Sequence, residues 1–228
     1  TIHQINKNME NIVKLLFIVL SIFIIGCGQK EAKSQNNVIP PQVSEKQINT
    51  NPKWYGIKAS EVFGGDTKAY DFSLMSEKGP VRLSDFKNDV VLLYFGYTHC
   101  PDICPTVMHT LAKTVNLLRN NAKRVKVIMV SIDPKRDTPT LMAKYVTFYN
   151  KDFIGLSGTP SQIKNVAMHY KAFYRKEPNP KNPKNYYMEH SDFIYLIYHG
   201  DIKFIYTEPR QKARWIAEDI EHLLSKKL

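Results

Sequence analysis

Apolar residues fall into several distinct patterns along the chain, and each predicts a different element. Two continuous apolar runs, VVLLYFGY over 90–97 and VKVIMVSI over 125–132, have strand length and no polar alternation, as expected of central strands covered on both faces. Between them Val107, Leu111, Val115 and Leu118 recur at helical spacing, which predicts an amphipathic helix from 105 to about 120. Pro105 suits the first helical position, so Cys104 is expected as its N-cap. Two more helices announce themselves by their starts. Thr138 is followed by Pro139, and Thr159 and Gln162 have the spacing of a capping box. The second of these buries Ile163, Val166, Ala167, Tyr170 and Phe173, and a last helix from about 210 to 225 buries Ala213, Ile216, Ala217, Ile220, Leu223 and Leu224.

Shorter pieces complete the outline. YDFSL (70–74) and PVRLSDF (80–86) read as strands around a Gly79-Pro80 turn, while DFIYLIY (192–198) and IKFIY (202–206) form a hairpin around His199-Gly200-Asp201. The intervening YRKEPNPKNPKNYYMEHS reads as a proline-broken loop. The order is therefore strand, helix, strand, helix, helix, hairpin, helix. A βαβ unit followed by a ββα unit is the layout of a thioredoxin-like α/β fold, here with a central mixed sheet, extra N-terminal strands and a helical insertion over 54–228.

The first 53 residues follow another pattern. Lys14 precedes an apolar run from Leu15 to Ile25, then Gly26-Cys27. A run of about 11 residues is too short to cross a bilayer, which takes roughly 20, but it suits the core of an export signal. A small residue directly before a cysteine resembles the bacterial lipobox, so residues 1–27 are expected to be an export signal with Cys27 as the lipidated residue. Residues 28–53 are polar, rich in Asn, Gln and Lys, and carry Pro40-Pro41; this is the composition of a flexible tether. The expected location is the cell envelope, lipid-anchored, with the domain facing the periplasm or exterior.

Composition adds two constraints. With 43% hydrophobic and 23% charged residues the chain is globular rather than disordered. Its net charge is +11, and about +10 without the first 27 residues. For an exported protein that charge points to anionic headgroups, an acidic partner surface or simple solvation, and no nucleic acid is assigned.

Of three cysteines, lipidation of Cys27 would leave Cys100 and Cys104 as a closed pair, four apart and each followed by proline in GYTHCPDICPT. At the carboxyl end of a central strand such a pair can serve as a disulfide switch, a nucleophile or a soft metal site. With Cys104 at a helix N-terminus, its thiolate is the form expected to be favoured.

Three segments in order, GYTHCPDICPT, VSIDPKRDTP (130–139) and MEHSDFIYLI (188–197), make the chain resemble the SCO/SenC family. These are copper-binding thioredoxin-fold proteins that help assemble the binuclear copper centre of cytochrome c oxidase. The resemblance covers roughly residues 65–225. It implies copper, as Cu(I) and possibly as Cu(II), bound by Cys100, Cys104 and His190, with the acidic residue of the middle segment at Asp133. It also implies a copper-accepting subunit of the oxidase as partner, and the expected lipid attachment to a membrane suits a bacterial member. The residues agree with it: CxxxC replaces the CxxC of thioredoxin-type oxidoreductases, and an imidazole, His190, stands where those enzymes aim a proline at the thiols. Two thiolates and one imidazole suit copper.

Other candidates fit less well. His99 should point away from Cys100, His109, His169, His199 and His222 read as solvated, and Met108 and Met188 read as core fillers. Asp133 is expected either to orient the site without binding metal or to cap the turn at Pro134. The leading expectation is copper delivery gated by a Cys100–Cys104 disulfide. The alternative is a thiol:disulfide reductase that keeps the oxidase's cysteines reduced, served by a thioredoxin-like reductant; enzymatic activity is left open between them.

Overall fold

The apolar runs become the middle of a sheet and the capped segments become its covering helices. In chain order the elements are β1 (Ile57–Lys58), α1 (Ala59–Phe63), β2 (Ser73–Ser76), β3 (Gly79–Arg82), β4 (Val90–Gly96), α2 (Ile103–Leu117), β5 (Val125–Ser131) and α3 (Pro139–Tyr149). Then come β6 (Ile154–Leu156), α4 (Pro160–His169), β7 (Tyr174–Pro178), β8 (Tyr186–His190), β9 (Ile194–Tyr198), β10 (Asp201–Tyr206) and α5 (Ala213–Ser225). The structure, a computed structural model, describes residues 54–180, 182 and 185–225. The expected export signal, Cys27 and the tether lie outside the described residues.

Six strands form one mixed sheet in the order β1-β10-β9-β4-β5-β6. β4, β5 and β6 run parallel, β9 is antiparallel to β4, and β10 and β1 continue the antiparallel half. All seven residues of β4 are buried, because this strand has a partner on each edge and apolar cover on each face. The β9–β10 connection has only His199 and Gly200 between the paired Tyr198 and Asp201. Both residues have positive φ, 53° and 75°, the backbone a two-residue hairpin turn requires. Thr138 caps α3 by accepting from the Leu141 amide, and the Thr159–Gln162 capping box opens α4, both as the sequence implied.

Four expectations need correction. α2 starts at Ile103 with Asp102 as its N-cap residue, so Cys104 is the second helical residue. Pro105 misled because none of the first-turn amides has an intrahelical acceptor, and proline is tolerated throughout that turn. Two parts of the segment expected as a loop are strands: β7 and β8 pair antiparallel from Tyr174↔His190 to Pro178↔Tyr186. Pro178, the last residue of β7, is compatible with a strand because a two-stranded ribbon consists only of edges. β6, missing from the expected order, has three residues, too few to show a period. Finally, Ser76 pairs with Gly79, so the β2–β3 turn is Glu77-Lys78 and Gly79-Pro80 opens β3.

Candidate metal centre

At the carboxyl end of β4 the chain leaves the sheet at Tyr97, turns through Cys100 and enters α2. Three contacts hold that turn to the end of β5. The buried carboxylate of Asp137 accepts from the Thr98 amide (3.1 Å), the Thr98 hydroxyl (2.6 Å) and the Ser131 hydroxyl (2.7 Å). Sequence reasoning missed Asp137, although it stands inside the VSIDPKRDTP segment. No spacing distinguishes it from Asp133.

The helix start delivers Cys104 into the core with no exposed surface, while Cys100 keeps 9% of its own. The Cys104 amide, one of the unpaired first-turn donors, faces the Cys100 sulfur at 3.5 Å. The Tyr94 hydroxyl, from β4, donates to the Cys104 sulfur at 3.3 Å. Gly96 is required beside it: a Cβ there would lie 3.0 Å from the Cys104 sulfur, 2.6 Å from the Tyr94 ring and 2.9 Å from Met129.

His190, the last residue of β8, comes from the opposite direction. Its Nε2 lies 3.4 Å from the Cys104 sulfur, and its Nδ1 lies 2.9 Å from the Ser191 carbonyl. A carbonyl can only accept, so Nδ1 carries a proton and Nε2 is the ring nitrogen turned toward the sulfurs, a donor to a thiolate when it carries a proton and a lone-pair ligand for a metal when it does not. The rings of Tyr97 and Tyr94 stand edge-on to the imidazole at 5.8 and 6.2 Å. The two sulfurs and the ring nitrogen all lie within 4.8 Å of one another, and among the described residues this is the one group of its kind. Both thiols are free.

The two thiols are electrostatically unequal. Cys100 is held well below the ordinary thiol range, chiefly by its hydrogen bond with Cys104 and further by His190 and the Cys104 and Asp102 amides, against the opposing effect of burial. Burial pushes Cys104 up, and the neighbouring Cys100 reinforces it. Thus charge is favoured at Cys100 rather than at the expected Cys104, chiefly because the Cys104 side chain hydrogen-bonds the Cys100 sulfur, with the Cys104 amide adding to it, while burial disfavours charge on Cys104.

Asp133, 4% exposed, lies outside this group. Its carboxylate accepts from the Arg136 Nε and, at 2.8 Å, from the Tyr186 hydroxyl. Neither Asp133 nor His99 adds to the ligand atoms. His99 is exposed and bonds Thr98 (3.0 Å) beside Asp137. Met108 is fully buried, and Met188 packs at the core's edge. His109, His169 and His199 are exposed and rest on Tyr149, Tyr70 and Tyr198; His222 is half-buried against Trp54.

Fold and site together define a class, a thioredoxin-like domain whose dithiol turn is faced by an imidazole from an added hairpin. The chain belongs to the SCO1/SenC family, whose model matches residues 62–225. It is 39% identical to a "SCO2-like protein" of Rickettsia felis, over 84% of this chain and 87% of that one. The solution structure of apo Sco1 from Thermus thermophilus superposes with a TM-score of 0.67 at 32% identity, covering 77% of this chain and 99% of that one. Bradyrhizobium japonicum ScoI, solved with copper bound, gives 0.61 at 31% identity, covering 68% and 98%.

Proposed function

We propose that this protein is a copper chaperone that holds copper through Cys100, Cys104 and His190 and delivers it to the binuclear copper centre of cytochrome c oxidase. The observation that carries the reading is the convergence of two sulfurs and one ring nitrogen within 4.8 Å. The donor chemistry fits: soft thiolates and an imidazole suit Cu(I) and also accommodate Cu(II), and no carboxylate oxygen enters the group. Relatives with copper bound and a family described as cytochrome c oxidase assembly proteins support the recipient. Oxidation of the two thiolates to a Cys100–Cys104 disulfide by exchange with an external disulfide, which takes up the two electrons and, with two protons from solvent, leaves as two thiols, would remove both thiolate ligands and release the metal. A thioredoxin-like reductant restores them.

A lipid on Cys27 and a tether over 28–53 would keep the domain at a membrane in the cell envelope. Among the described residues no helix is long and apolar enough to cross one. Mass spectrometry of the membrane-extracted chain should find Cys27 acylated at a new N-terminus. An unmodified Cys27 removes the anchor from the reading.

The unequal thiols favour a second activity, thiol:disulfide exchange on the oxidase's cysteines. A partly exposed thiolate at Cys100 is the attacking group, and a buried thiol at Cys104 resolves the mixed disulfide. Copper titration of the reduced protein separates the two. His190→Ala should lower copper affinity by at least about ten-fold, the loss expected even when a ligand's supporting partner is removed, while leaving dithiol exchange in place. Equal copper uptake by both proteins would leave only the reductase.

A further inference from the structure

His190 sits at one end of β8, and the hairpin that carries it is not part of the central sheet. Burial alternates along β8, with Tyr186, Met188 and His190 half-buried on one side and Tyr187 and Glu189 exposed on the other. At its root the hairpin is tied through Ser191, whose amide donates to the Phe173 carbonyl (3.0 Å) and whose hydroxyl accepts from the Phe173 amide (3.2 Å). Tyr186 begins β8 four residues before His190, about 13 Å at strand spacing. A ribbon fastened only at its root would pivot there, beside the imidazole.

Besides a contact between the Tyr97 hydroxyl and the Met188 backbone, the start of β8 is fastened by Arg136, on the turn after β5. Its Nη1 donates to the Asn185 side chain (2.9 Å) and the Tyr186 carbonyl (3.0 Å), its Nε donates to Asp133, and its guanidinium lies 3.7 Å from the centre of the Tyr186 ring. Asp133 closes the circuit by accepting from the Tyr186 hydroxyl at 2.8 Å. Arg136 is 17% exposed, and its Nη2 is buried with no hydrogen-bond partner among the described residues. An unpartnered buried donor is unfavourable, so the remaining contacts must outweigh it. A planar fork that bonds through two nitrogens and stacks on a ring suits arginine and no other side chain.

We propose that Arg136 is a positioning residue for copper: with Asp133 it pins the start of β8 to the turn after β5 and so keeps the His190 ring facing the two sulfurs. The inference rests on the metal site proposed above, and it extends that reading to a residue that touches neither ligand nor metal. It also gives Asp133 its role, as the acceptor that orients the guanidinium.

Three variants of the full chain test it: Arg136→Met, Arg136→Lys and Tyr186→Phe, with His190→Ala alongside. In metal-free protein, amide exchange of residues 186–190 should quicken in Arg136→Met while the amides of β4 and β5 stay as in the wild type. Copper affinity should fall about ten-fold or more. Arg136→Lys, which keeps the charge and loses the fork, should restore only part of the affinity, and Tyr186→Phe, which loses one hydrogen bond and keeps the ring, should cost the least. Unchanged hairpin exchange in Arg136→Met overturns the proposal, as does exchange quickened evenly across the central sheet, or unchanged copper affinity. If Arg136→Met fails to fold, wild-type exchange and affinity in both other variants overturn it. Normal copper binding by His190→Ala would instead remove the metal-site reading, and the exchange result on metal-free protein would still decide whether the pin exists.

Discussion

The two halves of the metal centre are built differently. The sulfurs stand on a deeply buried part of the molecule, between a strand buried along its whole length and a helix that packs on α5. The imidazole stands on a two-stranded polar ribbon, where Arg175 lies across from Glu189 and joins its carboxylate at 2.6 Å at the surface. Local opening is expected to be rare in the first half and frequent in the second. A site split in this way keeps its thiols in one geometry while its third ligand can arrive and leave, which suits a protein that must give its metal up.

The largest expected contrast concerns the thiols themselves. Brief alkylation of metal-free, reduced protein at neutral pH should label Cys100 and leave Cys104 untouched until the chain is denatured; equal labelling would contradict the inequality of the pair. The same inequality sets a pH dependence. Cys100 is depressed in the folded state, so between its folded value and the ordinary thiol range the unfolded chain binds the extra proton. Its contribution to stability is therefore complete above the ordinary thiol range and is lost as pH falls through the folded value. The urea midpoint of the wild type relative to Cys100→Ser should accordingly rise from pH 5 to 8. A flat difference would show that Cys100 is not a thiolate there.

A smaller effect probes the stiff half. Gly96→Ala places a Cβ against the Cys104 sulfur, the Tyr94 ring and Met129. Forcing an extra carbon into packed surroundings costs about 1–3 kcal/mol, which equilibrium denaturation would detect, and wild-type stability would mean that this part of the core yields. The smallest effect belongs to the soft half. Arg175→Ala removes exposed ion pairs to Glu177 and Glu189 and should change stability by no more than about 1 kcal/mol. A larger loss would place the ribbon among the stiff elements.

Much of this could be read from the chain because local patterns and core placement agree. β4, β5, the capped starts of α3 and α4, and the β9–β10 hairpin all occur where apolar runs, Thr-Pro pairs and His199-Gly200 implied them. The ribbon of β7 and β8 escaped notice since its stability comes from pairing with itself and from Arg136, neither of which leaves a period in the sequence. Asp137 and Arg136 share the segment that carries Asp133, and their separate tasks became visible only through partners 39 and 50 positions away.

The sequence by itself determined which atoms are available: two thiols four residues apart at the end of an apolar strand, and a histidine before a hairpin. Those follow from composition and local periodicity, which are properties of neighbouring residues. Tertiary structure alone decided which sulfur favours charge, because the Cys104 side chain hydrogen-bonds Cys100 and burial weighs most on Cys104. It also decided that His190 reaches the pair at 3.4 Å, since that distance depends on how a ribbon outside the main sheet is fastened to the turn after β5.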